Sequence, residues 1–427
     1  MGILLKNGTF IHWESLEFVQ ADVLVDEGSD GAIHLISRSD EKNPGDLSEH
    51  TVVDCSGKLI TKSFAVGHHH VYSALARGMP APARVPGNFR EILEFIWWRL
   101  DKALDKETIR YSALVTAMAA ARLGATFVID HHASPNAIKG SLDIIADAFE
   151  EVGISHLLCY EATDRDGKDK AEEGLAETER YLKKRQGLVG LHASFTVGPD
   201  TLDKAVKLMK KYDTGIHMHL AEDRYDQEHC LQNYYQQVTE RLNEAGILDS
   251  PKTILVHGIH LDAKERGIFR SKPCWIVENM ESNLKNKVGC FNGTGLGENI
   301  MLGTDGMHSD MLRSSKAAYF TGQHCDVISP PALYQRFRNV HRYLQQNQFA
   351  GDGPNNLVVL DYDSPTPLNS DNFHGHFIFG LTAAHVRDVI ANGKLIVKNR
   401  QIQTVDKEKI FVESRDHAKR LWSKMAV

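Results

Sequence analysis

Residues 59–70 read LITKSFAVGHHH, an apolar strand-like run that ends in three consecutive histidines. Seven further apolar runs follow, and each is separated from the next by enough residues to form a helix. The eight runs cover residues 59–66, 126–130, 155–160, 188–191, 215–219, 253–257, 274–277 and 300–303. Eight strands that alternate with helices predict an α/β fold whose main domain is a parallel (β/α)8 TIM-like barrel.

The two ends of the chain have a different pattern. Residues 3–54 contain short alternating segments broken by Asp, Glu and Gly, which is typical of a small antiparallel sheet. Strand patterns return at residues 357–360 and 386–397. We therefore predict a composite β-sandwich domain built from residues 1–58 and 350–427, and a metal-dependent barrel at residues 59–349.

The composition excludes several classes of protein. The chain has 427 residues, 42% of them hydrophobic and 25% charged, as in folded globular domains. A formal net charge of −7 without long basic runs argues against a nucleic-acid or anionic-membrane partner. The most apolar stretch, residues 113–129, is interrupted by Arg122 and is too short to span a membrane. The six cysteines form no Cys-x-x-Cys pair, which indicates reduced thiols and a cytoplasmic location.

The chain contains 22 histidines, and the strongest candidates for chemistry follow the predicted strands. His68 and His70 close the first run and point to the same side, because side chains alternate along a strand. His219 ends the fifth run, His257 ends the sixth, and Asp305 follows the eighth. Barrel active sites are built at the carboxyl ends of the strands, so this combination predicts a metal site. Imidazoles with one carboxylate suit zinc or ferrous iron better than calcium or magnesium.

Several segments make the chain similar to a known superfamily. They are HHHVYSALARGM (68–79), HMHLAE (217–222), LVHG (255–258), SN (282–283) and LGTDG (302–306). With these segments the chain resembles the amidohydrolase superfamily, in its branch of cytosine deaminases, guanine deaminases and chlorohydrolases. Within that branch, the run DHHASP (130–135) is most similar to the aminohydrolases associated with selenium metabolism (SsnA-like).

The resemblance implies one divalent metal ion per chain, held by His68, His70, His219 and Asp305. Zinc is favoured, and iron is the alternative. Binuclear relatives carry a carboxylated lysine after the fourth strand, where this chain has His192, so a single metal is expected. The resemblance also implies a homodimer and a small heterocyclic substrate.

The expected chemistry is hydrolytic deamination. A bound metal lowers the pKa of water towards about 7, and the metal-bound hydroxide can attack a carbon that carries an amino group beside a ring C=N. That carbon becomes electrophilic when the ring nitrogen is protonated, which requires an acid. Glu222 fits this role, as the resemblance also implies, while Asp305 takes the water proton and His257 holds the hydroxide. We expect release of ammonia from a purine- or pyrimidine-like heterocycle.

Three further histidines are candidate substrate contacts. His192 follows the fourth strand, and His131 and His132 close the second, where alternation lets only one of them face the barrel centre. Each can instead be a hydrogen-bonded core residue. The same alternatives apply to the acid and its neighbour: Glu222 can be a solvated charge, and His257 can support the site without taking part in the reaction.

Some residues depart from the family pattern. Lys62-Ser63 replaces the usual Pro-Gly before the first histidines, and Glu278 stands where relatives often have His. Trp97-Trp98 lies on a helical pattern after the first strand, for which core packing is predicted and a lid over the site is the alternative.

Two rival functions stay open. A cyclic-amide hydrolase could use the same mononuclear site to open a ring C–N bond, and it would release no ammonia. A non-catalytic metal-binding accessory protein is the rival from another class. Glu222 argues against the second rival, because a metal store needs no acid beside its ligands.

Overall fold

The computed structural model describes residues 2–29, 31–37, 50–306 and 308–425. Its strands lie in two sheets. The strands are β1 (Ile3–Ile11), β2 (Phe18–Val25), β3 (Ile33–Ser37), β4 (Thr51–Asp54), β5 (Leu59–Lys62), β6 (Phe64–His70), β7 (Ala125–His132), β8 (Ser155–Ala162), β9 (Val189–Ala193), β10 (Ile216–Leu220), β11 (Ile254–His257), β12 (Trp275–Glu278), β13 (Ile300–Leu302), β14 (Asp305–Gly306), β15 (Leu357–Leu360), β16 (Val386–Ala391), β17 (Lys394–Lys398) and β18 (Gln401–Ile402).

Helices follow most of the barrel strands. They are α1 (Phe89–Ile92), α2 (Trp98–Ala103), α3 (Lys106–Arg122), α4 (Ser141–Val152), α5 (Lys168–Leu182), α6 (Pro199–Lys211), α7 (Arg224–Tyr234), α8 (Val238–Glu244), α9 (Ala263–Arg270), α10 (Met280–Asn286), α11 (Met311–Cys325), α12 (Pro330–Gln346), α13 (Phe373–Gly375) and α14 (Lys407–Met425). A π-helical turn, Leu93–Trp97, joins α1 to α2 in one continuous helical segment.

The second sheet is the predicted parallel barrel. Strands β6 to β13 pair in chain order, and β14 returns to pair with β6. The eighth barrel strand is thus divided at Gly303-Thr304: β13 pairs with β12, and β14 pairs with the first strand. Gly303 is required there, because a Cβ at this position would lie 2.4 Å from the Asn279 side chain and 3.0 Å from the His68 backbone nitrogen. The predicted TIM-like barrel is confirmed.

The first sheet is built from both ends of the chain. Its order is β18-β17-β16-β15-β5-β1-β2-β3, with β4 paired to β1, and β5 pairs antiparallel with β15. A sheet domain composed of both termini is therefore confirmed. The C-terminal helix α14 packs against α3 of the barrel, and Trp422 Nε1 donates a hydrogen bond to the Leu75 carbonyl over 2.8 Å.

The expected first barrel strand, residues 59–66, is two strands in the structure. Residues up to Lys62 pair in the small sheet, and the barrel strand begins at Phe64. The break has a polar cause: the buried Lys62 ammonium lies 2.8 Å from Asp352, and Arg338 donates to the Ser63 carbonyl over 2.7 Å. We propose that the domain boundary lies at Ser63 rather than at residues 58 and 59.

The expectation that all six cysteines are reduced thiols is wrong for one pair. Cys290, in the loop after α10, and Cys325, at the end of α11, are joined as a disulfide because the two segments pack together. The free and buried cysteines are Cys55, Cys159, Cys230 and Cys274. Among the helices of the described ranges, none is long and apolar enough to cross a membrane.

The ion pair at the domain junction gives a stability prediction. Asp352 contacts both Lys62 and His341 at 2.8 Å, and all three side chains are buried. Asp352→Ala leaves a buried ammonium without its partner, so the free energy of unfolding should fall by about 3–5 kcal/mol. Urea unfolding followed by circular dichroism measures this loss. Asp200→Ala breaks an exposed pair with Lys168 and should cost less than about 0.5 kcal/mol; equal midpoints for both variants would contradict the prediction.

Candidate active site

A cavity of about 300 Å³ opens at the carboxyl ends of the barrel strands. The predicted metal ligands His70, His219 and Asp305 line it, together with Glu222 and His257. His70 ends β6, His257 ends β11, and Asp305 begins β14. His219 and Glu222 lie together at the end of β10. All of them are at the carboxyl ends of barrel strands, where active sites of this fold are built. The structure therefore brings the predicted ligands and the predicted acid to one place.

The predicted ligand atoms converge within hydrogen-bonding distance of one another. His70 Nε2 lies 3.1 Å from His219 Nε2 and 3.2 Å from Asp305 Oδ1. His68 Nε2 lies 3.3 Å from the same Asp305 oxygen. The His68 atom is buried and has no hydrogen-bond partner among the described residues.

The other ring nitrogen of two ligands is occupied by a backbone carbonyl. His70 Nδ1 donates to the His131 carbonyl over 2.8 Å, and His219 Nδ1 donates to the His192 carbonyl over 2.9 Å. A carbonyl oxygen can only accept, so each Nδ1 carries the proton and each Nε2 presents a lone pair to the cluster. Such contacts are the usual way in which a protein orients a metal-ligating histidine.

The cluster fits a divalent metal of the zinc type. Lone pairs on imidazole and carboxylate atoms face one another at 3.1–3.3 Å and would repel unless a cation lay among them. Three imidazoles and one carboxylate are a donor set that zinc accepts, with bonds of about 2.0–2.2 Å. Binding to one ion satisfies the orphaned His68 Nε2. The residues present therefore fit the expected metal.

The charges in the cluster favour the same conclusion. Burial holds the pKa values of His68 and His219 well below the usual range, so these rings stay neutral. Burial also opposes a charge on His70, but the Asp305 carboxylate raises the pKa of this ring to about 9. Without a metal, the His70 ring would therefore hold a second proton on Nε2, and a divalent metal bound at that nitrogen would replace this proton.

Glu222 and Asp305 differ in their tendency to ionise. Burial and the nearby Asp305 carboxylate raise the pKa of Glu222 well above its usual range. Burial opposes the ionisation of Asp305, but its close contacts with the His68 and His70 rings hold its pKa well below the usual range. Two carboxyl groups with pKa values pushed apart are suited to serve as an acid and a base.

His257 connects Glu222 to the barrel wall. Its Nδ1 donates to the Asn283 side-chain oxygen over 2.8 Å, so its Nε2 presents a lone pair, 3.4 Å from Glu222. Asn286 Nδ2 donates to the other Glu222 oxygen over 3.5 Å. A protonated Glu222 can therefore point its hydrogen towards His257 or towards a bound ligand.

Left-handed backbone occurs at three strand ends of the site. Ala221, His257 and Asp305 have φ values of 43°, 75° and 56°, which non-glycine residues rarely adopt. Two of these residues carry side chains of the site, and Ala221 directly precedes Glu222. Strain of about 1–3 kcal/mol per residue is typical of such positions and clusters at functional sites.

An aromatic wall covers one side of the cavity. Phe89, Leu93, Trp97 and Trp98 come from the helical segment of residues 89–103, and Phe195 comes from the loop after β9. Both tryptophans pack against hydrophobic clusters, as predicted, and they also line the cavity. The π-helical turn lies between α1 and α2, and its Leu93 and Trp97 border the site.

The three candidate substrate histidines have different environments. His192 lines the cavity. His131 and His132 are fully buried and lie outside the cavity wall. His132 Nε2 contacts the Ser134 hydroxyl at 2.9 Å, and His131 Nδ1 lies 3.1 Å from Glu161. The structure thus brings only His192 to the position expected of a substrate contact.

A buried polar group that the sequence motifs did not indicate also lines the cavity. Glu161 follows the third apolar run, and Arg165 donates to it over 3.0 Å and also pairs with Asp101. Both Glu161 and Arg165 border the cavity. The position of Glu161 at the carboxyl end of a barrel strand was the signal available in the sequence.

Comparisons with known proteins agree with this geometry. Residues 67–332 match a family model described as the amidohydrolase family. A 5-methylthioadenosine/S-adenosylhomocysteine deaminase of Pyrococcus furiosus is 26% identical over 436 residues, which cover 96% of this chain and 98% of the relative.

Solved structures share the fold over nearly the whole chain. An adenosine deaminase of Xanthomonas campestris with bound zinc superposes with a TM-score of 0.84 at 18% identity and covers 99% of both chains. Escherichia coli guanine deaminase superposes with a TM-score of 0.76 at 19% identity, over 93% of this chain and 99% of its own.

The ligand cluster gives a prediction about metal content. Protein purified without a histidine tag should contain about one metal ion per chain by plasma mass spectrometry. His68→Ala/His70→Ala removes two converging nitrogens and should abolish binding. His308→Ala is the control, because His308 lines the cavity but pairs with Glu281 instead of joining the cluster. Two ions in the unchanged protein, or retention in the double variant, would contradict the assignment.

Proposed function

This chain belongs to the amidohydrolase family, and we propose that it is a zinc-dependent deaminase that removes the amino group of an aminopurine, as a free base or a nucleoside. As a member of this family it is a hydrolase that acts on carbon–nitrogen bonds other than peptide bonds. The observation that carries the proposal is the position of Glu222, whose carboxyl group borders the cavity beside the ligand cluster, 3.4 Å from His257.

The ligand residues would be His68, His70, His219 and Asp305. Zinc held by them would supply a nucleophilic hydroxide at neutral pH, because a divalent cation lowers the pKa of bound water towards about 7. Zinc is favoured over iron because three imidazoles and one carboxylate are a donor set that zinc accepts readily. The bound zinc of the Xanthomonas structure supports this choice.

Two carboxyl groups at the site would carry the proton transfers, and His257 would position the water. Glu222 would donate its proton to the ring nitrogen beside the amino carbon, which makes that carbon electrophilic. The His257 Nε2 lone pair would accept a hydrogen bond from the attacking water and orient it. The ionised Asp305 carboxylate would accept one proton of the attacking water and pass it to the departing amine, so that ammonia leaves. The second proton of the water would return to Glu222, which leaves a carbonyl group on the product and restores the acid.

The walls of the cavity suit a flat heterocycle. Phe89, Trp97, Trp98 and Phe195 present aromatic rings, and aromatic side chains pack well against the faces of planar ligands. A volume of about 300 Å³ lies at the lower end of the range for small-molecule pockets and suits a base or a nucleoside better than a polymer. The deaminases of adenosine-type nucleosides and of guanine among the similar proteins support the aminopurine class.

The two rival functions are separated by their products. A cyclic-amide hydrolase would open a ring without release of ammonia, and an accessory metal protein would convert no substrate.

The homodimer and the cytoplasmic location stay predictions from the sequence.

Glu222→Gln tests the proposal. Zinc-loaded protein should release ammonia from an aminopurine in a coupled glutamate dehydrogenase assay. The amide cannot donate the catalytic proton, so kcat/KM should fall by about 10²–10⁴-fold while the metal content stays at one per chain. Glu228→Gln removes an exposed carboxylate on α7 and should retain activity. Ammonia release that is unaffected by Glu222→Gln would refute the role of this residue, and ring opening without ammonia would favour the rival hydrolase.

A further inference from the structure

Glu161 is a carboxylate of the cavity that the deamination chemistry does not use. It lies at the end of the third barrel strand, and its oxygen is within 4.8 Å of the ligand nitrogens of His70 and His219. The residue is buried except where it borders the cavity. A carboxylate in this position must hydrogen-bond to whatever the cavity binds.

The surroundings of Glu161 keep it ionised and leave much of it unbonded. Arg165 donates to Oε1 over 3.0 Å, and His131 Nδ1 lies 3.1 Å from Oε2. Arg165 forms an ion pair with this buried carboxylate, and such a pair stabilises the ionised form of a buried carboxyl group. An ionised carboxylate has about four acceptor positions, so Glu161 retains acceptor capacity towards the cavity.

His192 presents a second acceptor on the same wall. Its Nδ1 lies 2.6 Å from the Thr196 hydroxyl, and that hydroxyl donates its own hydrogen to the Ala193 carbonyl over 3.1 Å. Nδ1 must therefore donate to Thr196, and Nε2 presents a lone pair. This Nε2 makes no hydrogen bond to any residue in the described ranges.

We propose that Glu161 and His192 form an acceptor pair that selects substrates with two neighbouring hydrogen-bond donors, and that Glu161 is a specificity-determining residue. This inference rests on the proposed function and narrows its substrate class. Two acceptors on one wall repel a substrate whose facing edge also carries acceptors. A substrate without donors there leaves Glu161 and His192 buried and unpaired, which lowers its binding strongly. Arg165 is a positioning residue, because it holds the carboxylate from behind.

Two parts of an aminopurine can supply the donors. The first is the cis-diol of a ribose, and the second is a base edge that carries N–H beside NH₂, as in guanine. Adenosine against 2′,3′-dideoxyadenosine tests the diol. Guanine against 2-aminopurine, which has an acceptor in place of the ring N–H, tests the base edge.

The experiment compares Glu161→Gln with the unchanged protein on these four compounds. The amide replaces one carboxylate oxygen by a donor at constant size. Ammonia release should fall by about 10–100-fold in kcat/KM for the compound of one pair that carries both neighbouring donors, and by less than about threefold for its partner that lacks this donor pair. The pair that responds identifies the source of the donors. Metal content should stay at one per chain.

Asp101→Asn is the matched control. Asp101 is also bonded to Arg165 and buried, but it does not line the cavity. If Glu161→Gln acted only by loosening Arg165, Asp101→Asn would reproduce the selective loss, and the inference would be overturned. An equal loss on both members of each pair would also overturn it. So would a second metal ion that Glu161→Gln removes, because the carboxylate would then be a ligand.

Binding measurements separate this inference from the proposed function. Dissociation constants for the same compounds are measured by calorimetry on the zinc-loaded Glu222→Gln protein, with and without Glu161→Gln. Donor-selective binding that depends on Glu161, together with no ammonia release by the unchanged protein, would refute the deaminase and support the acceptor pair. Ammonia release without donor selectivity would do the reverse. An absence of both binding and turnover would overturn both.

Discussion

The mutual repulsion of acceptor atoms at the mouth of the barrel is the constraint on which the site depends. The Nε2 atoms of His68, His70 and His219 and an Asp305 oxygen converge, and backbone carbonyls fix two of the rings so that their lone pairs face inward. Only a cation at the centre turns this repulsion into attraction. The closed barrel supplies the rigidity that holds the acceptors together until the cation binds.

The polar groups of the site and its aromatic wall come from different parts of the chain. The strands hold the polar groups, whereas the aromatic wall comes from a helical segment inserted after the first strand. Burial disfavours the ionisation of both neighbouring carboxyl groups, but only Asp305 contacts two imidazoles, so the pKa of Asp305 is lowered whereas that of Glu222 is raised. The same low-polarity surroundings therefore yield an acid and a base a few ångströms from one set of ligands.

Much of this could be predicted from the sequence, and the failures have physical causes. Parallel barrel strands are buried on both faces, so they appear as apolar runs that are easy to locate. The break after Lys62 was not predictable, because its cause is a contact with Asp352, 290 residues away. A helical apolar pattern cannot distinguish core from cavity, and Trp97 belongs to both. Glu161 belongs to no recognised motif, since its role depends on neighbours from other strands. The superfamily and the deaminase class were predicted correctly, because several short motifs had to occur in the right order.

The composite sheet has a consequence for the way the chain reaches its folded state. Strand β5 finds its partner β15 only after the whole barrel has been synthesised, so the central pairing of this sheet forms late. Until then, the edge of β5 that later pairs with β15 presents unpaired backbone groups, which are a template for pairing with other chains. The N-terminal part of the sheet therefore has an edge that is open to aggregation during translation.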